Sequence, residues 1–138
     1  MDICLLDNSN SFLLKNIAPG VFDNEIDPGS LNQFVSCARH TMALAVEDGV
    51  VIGMASGVEY FHPDKNRQFW INEIGVTPER RREGIGRKLI EKMIDYAREC
   101  GCSCSWLGTG KTNLPANRCF SSVPGGELPK DFVMYEWK

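Results

Sequence analysis

Arg81-Arg82-Glu83-Gly84-Ile85-Gly86 stands between the apolar run Phe69–Val76 and an amphipathic segment from Ile85 to Cys100. The order is therefore a strand, a basic turn with two glycines, and a helix. The first turn of a helix leaves about four backbone N–H groups without partners, and its dipole favours negative charge there. Gly84 and Gly86 carry no Cβ, so an anion can approach the backbone closely. The stretch predicts an anion-binding turn, and phosphate is its simplest ligand.

The charge around this turn is opposite in sign to the charge of the whole chain. Positions 80–88 hold five cations and one acid, a local charge of +4, whereas the chain carries −3. These residues are Arg80, Arg81, Arg82, Arg87 and Lys88, with Glu83 as the acid. A local excess of this kind favours a bound anion over a nucleic-acid surface, with a solvated basic surface as the alternative. Neither a Walker-type loop nor a complete dinucleotide fingerprint is present.

With its flanks, the turn resembles the acetyl-coenzyme A motif of the GNAT N-acetyltransferase superfamily. R-x-x-G-x-G follows a strand ending Ile74-Gly75-Val76 and precedes a helix, as it does in that motif. Several other stretches are similar to the small bacterial branch near the aminoglycoside 3-N-acetyltransferases. They are Tyr60–Lys65, Trp70–Pro78, Asn113–Ala116, Gly125-Gly126 and Val133–Trp137. The resemblance covers residues 40–138 well and the first 40 loosely, and it does not identify the acceptor.

The resemblance implies an α+β fold in a single domain, residues 1–138, with an antiparallel meander, then a strand–helix–strand crossover, and a splayed central sheet. It implies acetyl-CoA-dependent transfer of an acetyl group to a primary amine of a small molecule, for example an aminoglycoside-like one. It places the pyrophosphate at Arg81, Arg82, Glu83, Gly84, Ile85, Gly86 and Arg87. It gives the pantetheine arm to the backbones of Ile74 and Val76, and further cofactor contacts to Asn113 and Phe120.

Glu73 is the candidate general base, because it lies three residues before Val76, where this branch usually carries an acid. An alkylammonium group has a pKa near 10, so its proton must be removed before the amine can attack. On a regular strand, Glu73 would point opposite to Asn72 and Ile74. The alternative role is to attract or orient the ammonium without accepting its proton.

Phe120 departs from the pattern of the family, in which many members carry a proton-donating Tyr at this position. Phenylalanine cannot protonate a leaving thiolate. Either the thiolate leaves unaided, or another side chain donates the proton, or the protein is a weak catalyst. The candidate replacements are Cys119, Ser121, Ser122 and Tyr135.

Hydrophobic periodicity and turn residues predict the elements. In the first half we expect a strand at Ile3–Leu6, helices at Ser11–Ile17 and Leu31–Ala38 with Ser30 as N-cap, and strands at Thr41–Glu47 and Val50–Tyr60 around Asp48-Gly49. In the second half we expect a loop at 62–67, a strand at Gln68–Val76, a helix at Gly84–Cys100, a strand at Cys102–Leu107, a helix at Asn113–Ser122 and a strand at Phe132–Trp137.

Composition indicates a cytoplasmic globular domain. The chain has 138 residues, 43% of them hydrophobic and 24% charged, with no apolar run long enough for a membrane span and no evident signal peptide. Its acidic balance argues against a nucleic-acid partner. Six cysteines favour reduced, small apolar side chains and no metal, although a metal site at Cys100, Cys102 and Cys104 is an alternative.

Other functions and partners stay open at this level. The acceptor could be a protein or peptide amine, or the chain could be an acyl-CoA-binding module with weakened catalysis. The acids Asp23, Glu25 and Asp27 could attract a cationic substrate, and His62 is a weaker candidate for substrate contact. By analogy with the superfamily, the apolar ending Phe132–Trp137 could pair two copies into a homodimer.

Overall fold

The computed structural model describes every residue from Met1 to Lys138. It has one sheet in which five strands follow their sequence order, with helices packed beside it. The strands are β1 (Asp2–Leu5), β2 (His40–Glu47), β3 (Val50–His62), β4 (Lys65–Val76) and β5 (Cys104–Trp106). The helices are α1 (Pro28–Ser36), α2 (Ile85–Glu99) and α3 (Leu114–Ser121), with 3₁₀ turns at Ser11–Lys15 and Pro78–Arg80. The mixed α+β fold class is confirmed.

Strands β1 to β4 are antiparallel neighbours, and β5 joins β4 in parallel. The predicted hairpin between β2 and β3 turns at Asp48 and Gly49, whose φ angles are +50° and +76°. Two consecutive left-handed residues give the tight turn whose twist matches the flanking strands. The helix α2 connects β4 to β5, as a parallel neighbour requires.

Two apolar clusters lie on opposite faces of the sheet. On one face the predicted apolar side of α2 packs on β2, β3 and β4, and the small side chains of Ala43, Ala45 and Ala55 let the helix approach closely. Phe69 and Leu89 are fully buried in this cluster. The other face is covered near β1 and β2 by the first 3₁₀ turn, Val21 and α1. The rest of that second face, along β4 and β5, stays open.

Several predicted boundaries are wrong for local reasons. The expected loop at 62–67 is largely strand, because β3 and β4 continue to a His62–Lys65 pair around Pro63 and Asp64. Helix α1 begins at Pro28 and not after Ser30, because the Asp27 carboxylate accepts the Ser30 backbone N–H at 2.7 Å and caps the helix. The expected helix at Ser11–Ile17 is a 3₁₀ turn.

The expected final strand at Phe132–Trp137 is not formed. The segment is apolar enough for a strand, but β5 is three residues long and offers little edge for pairing. Its side chains remain solvent-exposed, Trp137 by 86%. The segment approaches the body at Lys111, which pairs with Asp131 at 2.8 Å. No helix of the chain is both long and apolar enough to cross a membrane.

Candidate active site

Strands β4 and β5 separate soon after they pair. Their ladder runs from Gln68 and Cys104 to Trp70 and Trp106 and then stops. A cavity of about 240 Å³ opens beyond that point. It is lined by Ile71, Asn72, Glu73 and Ile74 of β4, by Leu107, Gly108 and Thr109 after β5, and by Asn113, Ala116 and Phe120 at α3. Four predicted site residues from two distant segments therefore meet at one gap in the sheet: Glu73, Ile74, Asn113 and Phe120.

A β-bulge positions Glu73. Gly57 pairs with Ile71 and Ser56 with Glu73, which leaves Asn72 as the extra residue of β4. Asn72 and Glu73 are both exposed, whereas Ile71 and Ile74 contact the core under α2. The expectation that the side chains of Glu73 and Asn72 point to opposite faces is therefore wrong, because the bulge interrupts the alternation. Glu73 and Ile74 do lie on opposite faces, as expected. The Ser56 hydroxyl donates to Asn72 Oδ1 at 3.0 Å and fixes the bulge.

Beyond the bulge, the free edge of β4 faces the cavity. The Thr77 N–H donates to Ile52 O of β3 at 3.0 Å. Because successive residues of a strand turn their polar groups to opposite sides, the N–H groups of Ile74 and Val76 point away from β3. Arg81 Nε donates to Val76 O at 3.1 Å, as this direction requires. The edge therefore offers the Ile74 and Val76 N–H groups to a ligand between the separated strands.

The start of α2 lies beside this edge and has no side-chain cap. Gly84 is its N-cap at φ +79°, and the first turn holds no acid. The first helical bond runs from the Lys88 N–H to Gly84 O, at 3.1 Å. The N–H groups of Ile85, Gly86 and Arg87 therefore lack intrahelical partners, and the space beside the Gly84 Cα is empty to 4 Å. The Ile85 side chain is buried in the core, so only its backbone is available.

The turn is less basic than its sequence indicates. Arg80 forms an ion pair with Glu47, and its hydrogen bond to that carboxylate lowers the pKa of Glu47. Arg80 also donates to Glu83 at 2.8 Å. Arg87 donates to Glu91 at 2.8 Å. The charge count over positions 80–88 does not include Glu47, because Glu47 lies on β2 and reaches Arg80 only in the folded sheet. Three cations, Arg81, Arg82 and Lys88, have no acidic partner and supply the remaining positive charge. Arg82 stands at φ +68°.

None of the proposed proton donors lines the cavity together with Phe120. The Ser121 and Ser122 hydroxyls donate to carbonyls of α3, those of Arg118 and Cys119. Tyr135 lies in the exposed final segment. Burial raises the pKa of the Cys119 thiol, which packs against Gly86 at the start of α2.

The remaining sequence candidates lie elsewhere. His62 pairs with Asp64 in the hairpin turn, and Asp27 is occupied in capping α1. Glu25 lines a second cavity of about 390 Å³ beside the first 3₁₀ turn. All six cysteines are free, and no group of three or more His, Cys, Asp or Glu side chains is placed to hold a metal ion.

Sequence reasoning missed three features of the site. Asn72 and Thr109 line the cavity, and Asn113 Nδ2 donates to Thr109 Oγ1 at 3.2 Å. The segment before α1 crosses β4 so closely that a Cβ on Gly75 would lie 2.0 Å from Val21 O. Gly75 itself is the only local signal of that approach.

This geometry can be compared with known proteins. The sequence model of the acetyltransferase (GNAT) family matches residues 14–123. The chain belongs to the GNAT family. An uncharacterized N-acetyltransferase of Archaeoglobus fulgidus is 46% identical over 115 residues, which are 83% of this chain and 65% of that protein. The L-amino acid N-acyltransferase MnaT of Escherichia coli is 36% identical over 64 residues, 46% of this chain and 37% of MnaT. This GNAT chain thus spans less than two thirds of the length of these relatives.

Solved structures agree on the fold. The aminoglycoside acetyltransferase AAC(6')-Iy, in complex with a bisubstrate analogue of CoA and acetylneamine, superposes with a TM-score of 0.80. The match covers 99% of this chain and 97% of that one at 17% sequence identity. At that identity the similarity establishes a GNAT fold and does not extend to the substrate.

Proposed function

We propose that this GNAT domain transfers an acetyl group from acetyl-CoA directly to a primary amine of a small molecule. One observation carries the proposal: Glu73 and the free edge of β4 border one gap in the sheet, and the uncapped start of α2 follows the end of that edge. An extended ligand with an anionic end and an amide-containing arm fits such an edge.

The residues present fit acetyl-CoA. The N–H groups of Ile85, Gly86 and Arg87 and the side chains of Arg81 and Arg82 would hold the pyrophosphate, and Glu83 would keep Arg80 in place beside them. The backbone of Ile74 and the N–H of Val76 would bind the pantetheine arm as an added strand. Asn113 and Phe120 would contact the arm from α3. When bound, acetyl-CoA supplies the acetyl thioester.

Glu73 would take the proton of the arriving ammonium, directly or through one water. The neutral nitrogen then bonds to the acetyl carbon, and the carbon–sulfur bond breaks. The electron pair of that bond leaves on sulfur as the thiolate. The nitrogen then loses its remaining extra proton to solvent, or to Glu73 after Glu73 has released the first proton to solvent. General base catalysis of this kind contributes roughly 10²–10⁴ in rate.

The leaving group needs no protein acid in this proposal. A thiol has a pKa near 8.5, so its thiolate is stable enough to leave close to neutral pH. Phe120 then serves as an apolar wall of the cavity.

The test is acetyl transfer to a panel of primary amines, with products detected by mass spectrometry because the six free thiols would react with thiol dyes. We expect Glu73→Gln to lower kcat/KM by roughly a hundredfold, and the activity that remains should rise with pH as more of the amine becomes neutral in solution. Glu79→Gln is the matched control, since Glu79 is an exposed acid in the turn after β4. Equal activity in both variants would exclude Glu73 as the base. Acetyl-CoA binding without transfer to any amine would instead favour an acyl-CoA-binding module, and transfer only to peptides would favour a peptide acetyltransferase.

We also propose that two copies pair through the exposed apolar segment Phe132–Trp137, in a reducing cytoplasm where all six cysteines stay free. Within its own chain only Phe132 packs closely, beside Gly108, so the exposed side chains that follow can be buried against a second copy. Light scattering on the intact chain should give a dimer, and removal of residues 132–138 should give a monomer. A monomeric intact chain would refute this pairing.

A further inference from the structure

An aromatic platform lies at the point where β4 and β5 separate. We use this name for Trp70, Trp106 and Tyr60. The two indole rings are stacked, with centroids 5.4 Å apart and an interplanar angle of 11°. Trp70 remains 40% exposed and Trp106 42% exposed. No element of the chain covers this part of the sheet.

The platform is held rigid by hydrogen bonds. Trp106 Nε1 donates to the Tyr60 hydroxyl at 3.2 Å, and that hydroxyl donates to Gln68 Oε1 at 2.6 Å. The indole N–H is thus satisfied within the sheet. One face of each ring is stacked on the other ring, and about two fifths of each tryptophan stays exposed to a ligand. Large exposed aromatic surfaces that are fixed in this way are typical of binding sites.

The platform shares a sheet face with Glu73. Trp70 pairs with Val58 and Glu73 pairs with Ser56, and directly paired residues lie on one face. Val58 and Ser56 are two residues apart on β3, so Trp70 and Glu73 start about 7 Å apart along the strand. A ligand can therefore rest against the exposed part of Trp70 while its amine lies at Glu73.

We propose that Trp70 and Trp106 bind the body of the acetyl acceptor, an amine that carries a flat ring about one short alkyl chain from its nitrogen. This inference rests on the proposed function, because it takes Glu73 as the point to which the amine comes. The ring of the acceptor gains aromatic contact with the indoles, and its ammonium is attracted to the Glu73 carboxylate. Glu73 is the one acid on this part of β4, which favours a single positive charge on the acceptor.

Two amines of equal charge test the proposal: phenylbutylamine, whose chain spans about the distance derived from the strand rise, and octylamine, which has no ring. We expect Trp70→Leu to raise KM for phenylbutylamine by about tenfold, with kcat and the Kd for acetyl-CoA unchanged, and Trp70→Phe to restore most of the affinity. Octylamine should change less than twofold. Phe61→Leu is the matched control, since Phe61 is 60% exposed on β3 and its ring contacts Arg39.

Fluorescence gives a second measurement that does not require transfer. The chain has three tryptophans, so Trp137→Phe leaves only the platform pair. Phenylbutylamine should quench this emission in a saturable way, whereas octylamine should not. The proposal would be overturned if Trp70→Leu affected both amines equally, or if phenylbutylamine did not quench the emission. It would also be overturned if Trp70→Leu changed the oligomeric state of the protein. If the unmodified protein did not bind acetyl-CoA, the proposed function would be refuted. The quenching experiment alone would then decide whether the platform binds the ring.

Discussion

A charge placed at Gly84 should weaken acetyl-CoA binding by electrostatic repulsion. Gly84 caps α2 at φ +79°, and nothing lies within 4 Å of the position that a Cβ would occupy. Asn and Asp tolerate the left-handed region better than other side chains and have nearly the same shape. Gly84→Asn and Gly84→Asp therefore form a matched pair, because they share the backbone strain and the added bulk and differ by one negative charge.

The expected difference follows from Coulomb's law. At about 6 Å and a dielectric constant close to that of water, each pair of unit charges repels by roughly 0.7 kcal/mol. The two charges of a pyrophosphate then give about 1.4 kcal/mol, which is tenfold in Kd. A less polar surrounding would enlarge the ratio.

Isothermal titration calorimetry with acetyl-CoA measures this ratio directly. We expect Gly84→Asp to bind at least about tenfold more weakly than Gly84→Asn at low salt, with the ratio falling as salt shortens the Debye length to about 8 Å at 0.15 M. Thermal unfolding should give the same midpoint for both variants. Equal Kd values for the two would refute the placement of the pyrophosphate at this turn, whatever their affinity relative to the unmodified protein.

Three further predictions concern single side chains. Hydrogen bonds, chiefly from the His40 side chain, lower the pKa of Cys37 from 9.0 to about 7, so the reactive thiolate is lost as pH falls below about 7. Mass spectrometry should show Cys37 alkylated about fivefold faster than an ordinary thiol at pH 7, after allowance for its lower nucleophilicity. His40→Ala should remove most of this difference, while the backbone hydrogen bonds to Cys37 remain. Gly75→Ala should destabilise the protein by about 3 kcal/mol or more in urea unfolding, because the new Cβ would overlap Val21 O, a backbone atom; a loss below about 1 kcal/mol would contradict the close approach. Phe120→Tyr should change kcat less than about threefold if the thiolate leaves unaided, and a gain near a hundredfold would show that the protein lacks an acid it needs.

Local sequence was sufficient where short-range forces decide the structure. The Asp48-Gly49 turn and the apolar face of α2 were both readable, because turn chemistry and helical periodicity act over a few residues. The basic turn with its two glycines likewise indicated the family, which the match over residues 14–123 confirms.

Local sequence failed where a distant partner changes the outcome. Arg80 counted as a free cation in the sequence, yet Glu47 from β2 binds it. Asp27 takes the capping role expected of Ser30 because its carboxylate reaches the Ser30 N–H. The strand pattern of Phe132–Trp137 found no edge to join. Each outcome depends on a contact whose existence is decided by the rest of the fold.

The sequence by itself determined the β2–β3 hairpin, the helix α2, the family and the turn at the start of α2, since these depend on neighbours along the chain. Only the tertiary structure decided that Glu73 shares a cavity with Asn113 and Phe120, and a sheet face with Trp70 and Trp106. The bulge at Asn72 and the parting of β4 from β5 produce both arrangements. A bulge is a property of two paired strands, and a gap is a property of two strands that stop pairing, so neither can be read from one strand alone.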